Sequence, residues 1–326
     1  MNLLDLNNKI DSELIGNETS EISSFSSVHK ISANSIVLLL KYNFINEDLI
    51  PKKTSFLLDL KTYKLFKNPV NFNFLIVDDP KIAFAKLTKF FKKDISLPEP
   101  QVIKPHKHKI LIGKDVSCGR NFKYGFNCLI EDNVKIGKNV TFGNNVVIHS
   151  DTIIGNNVSV DSGSIIGSEG FGNVIKEDKK WEHIFHLGNV ILENDIHIGS
   201  NCCIDRATID STVIHSGVII DNMVHIAHNV TIGEDTAIAA KVGIAGSSSI
   251  GKRNMIGGMV GIIDHIKTAD DVIISATSTV YKDLKEPGIY TGIMPISKHA
   301  IWKRIALWIS KLDKIVKLLN LKNNES

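Results

Sequence analysis

Between Val218 and His265 the chain reads in blocks of six, VIIDNM VHIAHN VTIGED TAIAAK VGIAGS SSIGKR NMIGGM VGIIDH. The third position of every block is isoleucine: Ile220, Ile226, Ile232, Ile238, Ile244, Ile250, Ile256 and Ile262. A period of six fits neither a helix at 3.6 residues nor a strand at 2, so the unit is a repeat that stacks on itself. Each block predicts a short strand and a corner, the third side chain pointing inward and Gly, Asn and Asp serving the turns. Three blocks close one triangular coil. Residues 18 apart in number therefore become neighbours, one strand spacing of about 4.8 Å further along the axis.

The same period runs from Ile110 to Glu169, with third positions Ile112, Cys118, Tyr124, Ile130, Ile136, Phe142, Ile148, Ile154, Val160 and Ile166. Together with the run from Val218 to Asp283, 20 of 21 third positions are apolar, Thr268 being the exception. Two stretches interrupt the period. Gly170 to Asn189, GFGNVIKEDKKWEHIFHLGN, is too long for a corner and carries Phe171, Trp181 and Phe185, which predicts a flap over the solenoid wall or a neighbouring subunit. Ile204 to Gly217, IDRATIDSTVIHSG, breaks the register again.

Residues 1–100 lack the period. Strand-like runs at Ser35 to Leu40, Phe56 to Leu60 and Phe74 to Val77, with one amphipathic helix at Pro80 to Phe91, predict a small α/β domain. The prolines of SLPEPQVIKPHKHK mark a linker over 101–109 ahead of a solenoid spanning 110–284. Pro287 and Pro295 then turn the chain into a C-terminal helical segment, 285–326. Ile301, Ile305, Trp308, Leu312, Ile315 and Leu319 make the apolar stripe of a single helix from Lys298, and Lys303, Arg304, Lys311, Lys314 and Lys317 make a basic one. The fold class is thus mainly β, with a small α/β domain before the solenoid and a helical segment after it.

Composition narrows the function classes. Apolar content of 43% and charged content of 22% are ordinary for a globular chain, and a net charge of +3 is too small to argue for a nucleic-acid partner. The four cysteines, Cys118, Cys128, Cys202 and Cys203, lack paired zinc spacing and fit a reducing compartment. The N-terminal MNLLDLNNKIDSELIG has no apolar core of a signal peptide, and no run approaches the roughly 18 apolar residues of a membrane span. The expected location is cytoplasmic.

Candidate chemistry follows from the column rule. His228 and Gly246 are 18 apart, which sets the Gly246 backbone beside His228 on the next coil. His265 lies 37 residues beyond His228, near the same column two coils on, and Asp221 lies at the preceding corner. A histidine near a carboxylate can act as general base, and a glycine amide can hold an oxyanion. A solvent-facing corner histidine is the other reading of the same spacing. His225, His228 and His265 also raise the idea of a metal site, although the spacing of a three-histidine site is not clearly present.

Several motifs occur in order: GSEGFG (Gly167 to Gly172), IDRATID (Ile204 to Asp210), IIDNMVHIAHNVTIGEDTAIA (Ile219 to Ala239), IAGSSSIG (Ile244 to Gly251), IGG (Ile256 to Gly258), EPGIYTGIMP (Glu286 to Pro295) and IWKR (Ile301 to Arg304). As a set they resemble the UDP-3-O-acylglucosamine N-acyltransferase family, densely over the solenoid and C-terminal helix and in outline over the N-terminal domain. The resemblance implies a left-handed parallel β-helix and a homotrimer with clefts between subunits. It implies transfer of a 3-hydroxyacyl chain from acyl carrier protein to the 2-amino group of a UDP-3-O-acylglucosamine. His228 would then be the general base, Asp221 its supporting carboxylate and Gly246 the oxyanion donor. Asn222 and His265 would line the cleft. No bound cofactor or metal is implied, since the phosphopantetheine arm arrives on the carrier protein. The basic helix would meet that acidic protein, and it offers a peripheral contact with the inner face of the membrane. An apolar groove for the acyl chain is expected near Val280 and Tyr281.

One segment departs from the family pattern. Where an aromatic and an Asn would hold the uracil, SIVLLLKYNF places Leu38 and Lys41, leaving Tyr42 or Phe44 to stack on the base. Lys41 and Phe44 are accordingly the nucleotide-binding candidates. A diverged, weakly active paralogue, a coenzyme A-dependent acetyltransferase of nucleotide sugars and a silent trimeric solenoid remain alternatives.

Overall fold

In each block the first and third residues face inward and the second faces out, the alternation of a strand only two residues long. Val134 and Ile136, Val224 and Ile226, Val242 and Ile244, and Val260 and Ile262 are all buried in one continuous core. The sixth residue turns the corner in the left-handed region, as at Asn121 (φ 63°), Asn139 (57°), Asn157 (58°) and Asn229 (59°). Asn and Asp tolerate that conformation better than other residues with a Cβ, which explains their recurrence there. Their amides also tie coil to coil: Asn121 donates to Asn139 and Asn139 to Asn157, each at 2.9 Å.

A computed structural model describes residues 1–32, 34–91, 110–292 and 296–318. The linker at 101–109, together with Pro295 and Leu319, falls outside the described residues. The solenoid consists of three parallel sheets of nine, nine and seven strands. Residues 18 apart pair as expected, Ile226 with Ile244 and Ile244 with Ile262. The two interruptions appear as jumps in that register. Ile166 pairs with Ile204, 38 residues on, and Ile204 with Ile226, 22 on, so 20 and 4 residues are inserted. Between them a complete coil, Val190 to Ile204, is buried at Val190, Leu192, Ile196, Ile198, Cys202 and Ile204. The solenoid also runs past residue 284. Gly288–Tyr290 adds a last strand against Val272–Ile274, so Pro287 precedes a strand and does not end the wall.

The larger insertion lies against the solenoid at Phe171 and His186, and the rest of it reaches the N-terminal domain. Its hairpin, Asn173–Ile175 with Trp181–His183, contacts the helix Pro80–Phe91 of the N-terminal domain. Ile184, Leu187 and Ile209 pack into that domain's core with Leu3, Leu6, Phe84 and Leu87. The domain is a five-stranded sheet, parallel but for one edge strand, Glu13–Ile15. The expected strands appear as Ser35–Leu38, Ser55–Leu58 and Asn73–Ile76. A helix absent from the sequence reading, Leu3–Ile10, is started by a capping box in which Asn2 accepts from the Asp5 N–H at 2.8 Å and the Asp5 side chain answers at 3.1 Å.

Residues from Gly292 onward form a separate unit. The helix expected there is two helices, His299–Ile309 and Leu312–Leu318. The break falls at Ser310, whose hydroxyl turns back to the Leu307 carbonyl at 2.9 Å and competes with continuation of the helix. Ile301, Trp308 and Leu312 are exposed, as are Lys303, Arg304, Lys311 and Lys314.

Candidate active site

His228 follows the strand His225–Ile226 and stands where the four-residue insertion brings Thr208 and Ile209 against the corner. That insertion fixes the state of the ring. The Asn229 amide nitrogen donates to the Ile209 carbonyl at 2.7 Å, which makes its Oδ1 the acceptor. This oxygen takes the Thr208 N–H at 2.9 Å and faces His228 Nδ1 at 3.1 Å. Two acceptors cannot share a hydrogen bond, so Nδ1 carries the proton and donates, and the lone pair of the neutral ring sits on Nε2. Asn229, given no role in the sequence reading, is therefore the group that orients the base.

Nε2 lies against Gly246. A Cβ built there would stand 2.6 Å from Nε2 and 2.7 Å from Cε1, so only glycine leaves room for the ring. At several equivalent corners a side chain one coil on caps the N–H: Asp132 caps Lys114 at 2.7 Å, Asn144 caps Phe126 at 2.8 Å and Asp270 caps Lys252 at 2.8 Å. The corresponding residue for Gly246 is Asp264, which makes no such bond, and the Gly246 N–H has no partner among the described residues. A proton acceptor and an uncommitted backbone donor thus adjoin one another.

Both border a cleft of about 710 Å³ whose lining includes Phe171, His225, Asp264 and His265. Gly243 and Gly261 form part of its floor, with open space where their Cβ atoms would stand. His265 occupies the left-handed corner beside Gly246 and donates its N–H to the Gly246 carbonyl at 3.0 Å. Phe171 reaches the cleft from the larger insertion and is 86% exposed. Cys203, Asp205 and His225 bring a thiol, a carboxylate and an imidazole together at one edge, a donor set able to hold a metal.

A second histidine, missed in the sequence because it belongs to the insertion, backs the first. The His186 ring lies 5.0 Å from that of His228 at 67°, is 5% exposed, and makes no hydrogen bond of good geometry at either nitrogen among the described residues. Burial, with the nearby His228 adding to it, pushes its pKa down to about 4, so it is neutral near pH 7. The GFG turn closes over it. A Cβ at Gly170 would stand 2.9 Å from His186 Nε2, and one at Gly172 would stand 2.6 Å from its Cε1.

Other expected residues lie elsewhere in the chain. Asp221 occupies the previous corner of the triangle, accepts from the Asn222 N–H at 2.7 Å and its amide at 2.8 Å, and does not line the cleft. The Asp221–His228 pairing is therefore absent within one chain. Asn222 caps the Ser200 N–H at 2.8 Å, a coil-to-coil tie like those of its counterparts. Lys41 and Phe44 are also remote from this cleft. They sit on the N-terminal domain, the Lys41 ammonium 6.0 Å from the centre of the Phe44 ring, with Phe44 53% exposed. Tyr42 is committed to Glu47 through its hydroxyl and to Phe66 through its ring, leaving Phe44 as the more exposed aromatic. Val280 points into the core, so it is the neighbouring Thr279 that lines the cleft.

Comparison with known proteins agrees with this architecture. Residues 127–162 and 211–246 match the bacterial transferase hexapeptide (six repeats) family. The UDP-3-O-acylglucosamine N-acyltransferase of Delftia acidovorans is 41% identical over 149 residues, 46% of this chain and 44% of the relative. That of Bordetella avium is 44% identical over 149 residues, 45% of this chain and 41% of the relative. The chain thus spans less than half the length of these curated relatives. Among solved structures, LpxA from Acinetobacter baumannii matches with a TM-score of 0.51 and 24% identity, covering 56% of this chain and 69% of that one, a likeness of fold. Over about half its length the chain is a homologue of the UDP-3-O-acylglucosamine N-acyltransferases, built on the bacterial hexapeptide repeat.

Proposed function

We propose that the chain is an N-acyltransferase that moves a 3-hydroxyacyl group from acyl carrier protein to the 2-amino group of a UDP-3-O-acylglucosamine, in lipid A biosynthesis. The observation that carries the reading is the fixed His228 tautomer, whose basic Nε2 adjoins the uncapped Gly246 N–H. The sugar amine attacks the thioester carbonyl while Nε2 takes its proton. The carbonyl oxygen becomes an oxyanion, which the Gly246 N–H stabilises. Collapse restores the carbonyl as an amide and expels the phosphopantetheine thiolate, which recovers the proton from His228. The chain itself contributes the base and the donor, and the thioester arm comes with its carrier.

Homology over half the chain supports the substrate class, and the exposed lysines and arginine of the last helices suit an acidic carrier protein. A homotrimer would let a neighbouring subunit bring Asp221, Asn222, Lys41 or Phe44 towards the cleft, which one chain does not do. Stacking of uracil on Phe44 belongs to the same reading. No helix among the described residues is long and apolar enough to cross a membrane, and a cytoplasmic enzyme touching the inner face through its basic helix completes the proposal. Acyl transfer from a series of 3-hydroxyacyl carrier proteins tests it. Turnover should fall at least about 100-fold in His228→Ala. A native chain inert with every carrier-bound donor, yet active with acetyl coenzyme A, would replace this reading.

A further inference from the structure

On the wall beside the cleft three side chains of different chemistry converge. Cys203 and Asp205 are two residues apart on one strand and so share its outer face, and Cys203 pairs in register with His225 on the next coil. Their ligand atoms all lie within 4.8 Å of one another. Cys203 Sγ is 3.6 Å from Asp205 Oδ1, and His225 Nε2 is 3.6 Å from Asp205 Oδ2. Ligands bound to a tetrahedral metal at ordinary bond lengths stand about 3.3–3.8 Å apart, so the His225–Asp205 spacing already fits and the Cys203 thiol, within 4.8 Å of both, has a short way to close.

The surroundings of Asp205 point the same way. The residue is 4% exposed, no lysine or arginine pairs with it among the described residues, and its one potential cationic partner is the His225 imidazole itself. The Ser168 hydroxyl donates to its Oδ1 at 2.7 Å, which leaves Oδ2 as the free ligand atom, turned towards His225. A buried carboxylate ordinarily has a cationic partner or coordinates a metal. One thiolate and one carboxylate balance a divalent ion, with neutral imidazole as third ligand. Asp205 and His225 both border the cleft, so a fourth position opens into it.

We propose that Cys203, Asp205 and His225 form a binding site for a divalent transition metal of the zinc class. A thiolate ligand selects such ions over magnesium or calcium, which prefer oxygen. Binding forms a metal–sulfur bond and releases the thiol proton to solvent. The Ser168 hydrogen bond stays in place and orients the carboxylate. The site does not depend on the acyl-transfer reading.

The test is a titration of the full, chelator-stripped chain with Co2+ and then Zn2+. The expected result is a near-ultraviolet sulfur-to-cobalt band with the visible spectrum of a tetrahedral ion, both erased by Zn2+. Cys203→Ser removes the sulfur band, and His225→Gln, at a half-exposed position, weakens Zn2+ binding at least about tenfold. A native protein without the sulfur band overturns the proposal, and so does a band that survives Cys203→Ser. Should the serine variant fail to fold, alkylation of the native chain decides. Zn2+ should protect Cys203 while the exposed Cys118 reacts as before, and equal rates at Cys203 with and without Zn2+ overturn the site. Neither readout involves acyl transfer, so failure here leaves the proposed function standing.

Discussion

Replacing Gly246 with alanine tests the geometry of the base with one carbon atom. The added methyl would stand 2.6 Å from His228 Nε2 and 2.7 Å from Cε1, against an unstrained separation of about 3.5 Å. The ring must retreat by roughly 1 Å. It cannot do so freely, because Nδ1 is held by Asn229 at 3.1 Å and the His186 ring lies 5.0 Å away. A displacement of that size costs on the order of 100-fold in rate, or about 2.7 kcal/mol in the barrier. The fold should tolerate it, since Gly246 is outside the left-handed region and the clash is with a side chain. Gly243→Ala is the stability control, its new methyl meeting nothing within 4 Å. Both variants should melt near the native temperature, while kcat for acyl transfer falls about 100-fold in Gly246→Ala. A Gly246→Ala chain that keeps kcat within about threefold of native would refute the placement of the base, and one that melts well below Gly243→Ala would show the loss to be a folding defect.

Asn229→Ala removes hydrogen bonds to Ile209, Thr208 and His228, so unfolding in urea should show a loss of about 2–4 kcal/mol, and kcat should fall further than KM changes because the tautomer is no longer fixed. Arg206→Met strips the donors that join the largely buried guanidinium to the Gly167 carbonyl at 2.7 Å and the Ser150 carbonyl at 2.9 Å, with an expected cost of about 2–3 kcal/mol and faster proteolysis between residues 170 and 189. His186 is held at about 4 against an ordinary value of 6.5, so the unfolded chain carries the extra proton between those values. Stability contributed by the neutral folded ring is then complete above pH 6.5 and lost as pH falls towards 4, by up to about 3 kcal/mol. His186→Gln should flatten that limb in urea unfolding measured across the window. Glu131 and Glu193, whose pKa values lie below 4.5 because His149 and His215 hydrogen-bond to them, lose their contribution only at lower pH and leave the His186 limb distinct.

The fold was legible because two restraints recur at fixed places: apolar residues at the first and third positions and Asn or Asp at the left-handed sixth. Thr268, the one polar third position, accepts from the Gly251 N–H at 2.9 Å and the Asn254 amide at 2.6 Å, a polar substitute for packing that no period reveals. The coil from Val190 to Ile204 was hidden by arithmetic. An insertion of 20 residues shifts the phase by two and the next, of 4, restores it, so the repeat resumes in step while the coil between the two interruptions is out of phase with both runs. The His228–Gly246 contact followed from their spacing of 18 alone. Asp221 stands, as its spacing of seven implies, at the preceding corner of the triangle and away from the cleft.

The irregular segments lie at the site for a physical reason. Where a side chain caps a corner N–H, as Asp132 does for Lys114 and Asp270 for Lys252, that donor has nothing to offer a reacting group. A coil used for chemistry must leave a donor uncapped and still hold a histidine in one tautomer. The solenoid repeat supplies the first condition through the Gly246 column, where a glycine faces the ring and Asp264 stands off. It cannot supply the second, since every partner within the repeat is another coil residue at the same height in its own corner. The four-residue insertion does so by lifting the Thr208 N–H and the Ile209 carbonyl out of the ladder and onto Asn229. The longer insertion adds His186 behind the ring and Phe171 at the cleft, and its Ile184 and Leu187 anchor the N-terminal domain. Displacing either insertion should therefore disturb His228 while leaving the wall of the solenoid intact.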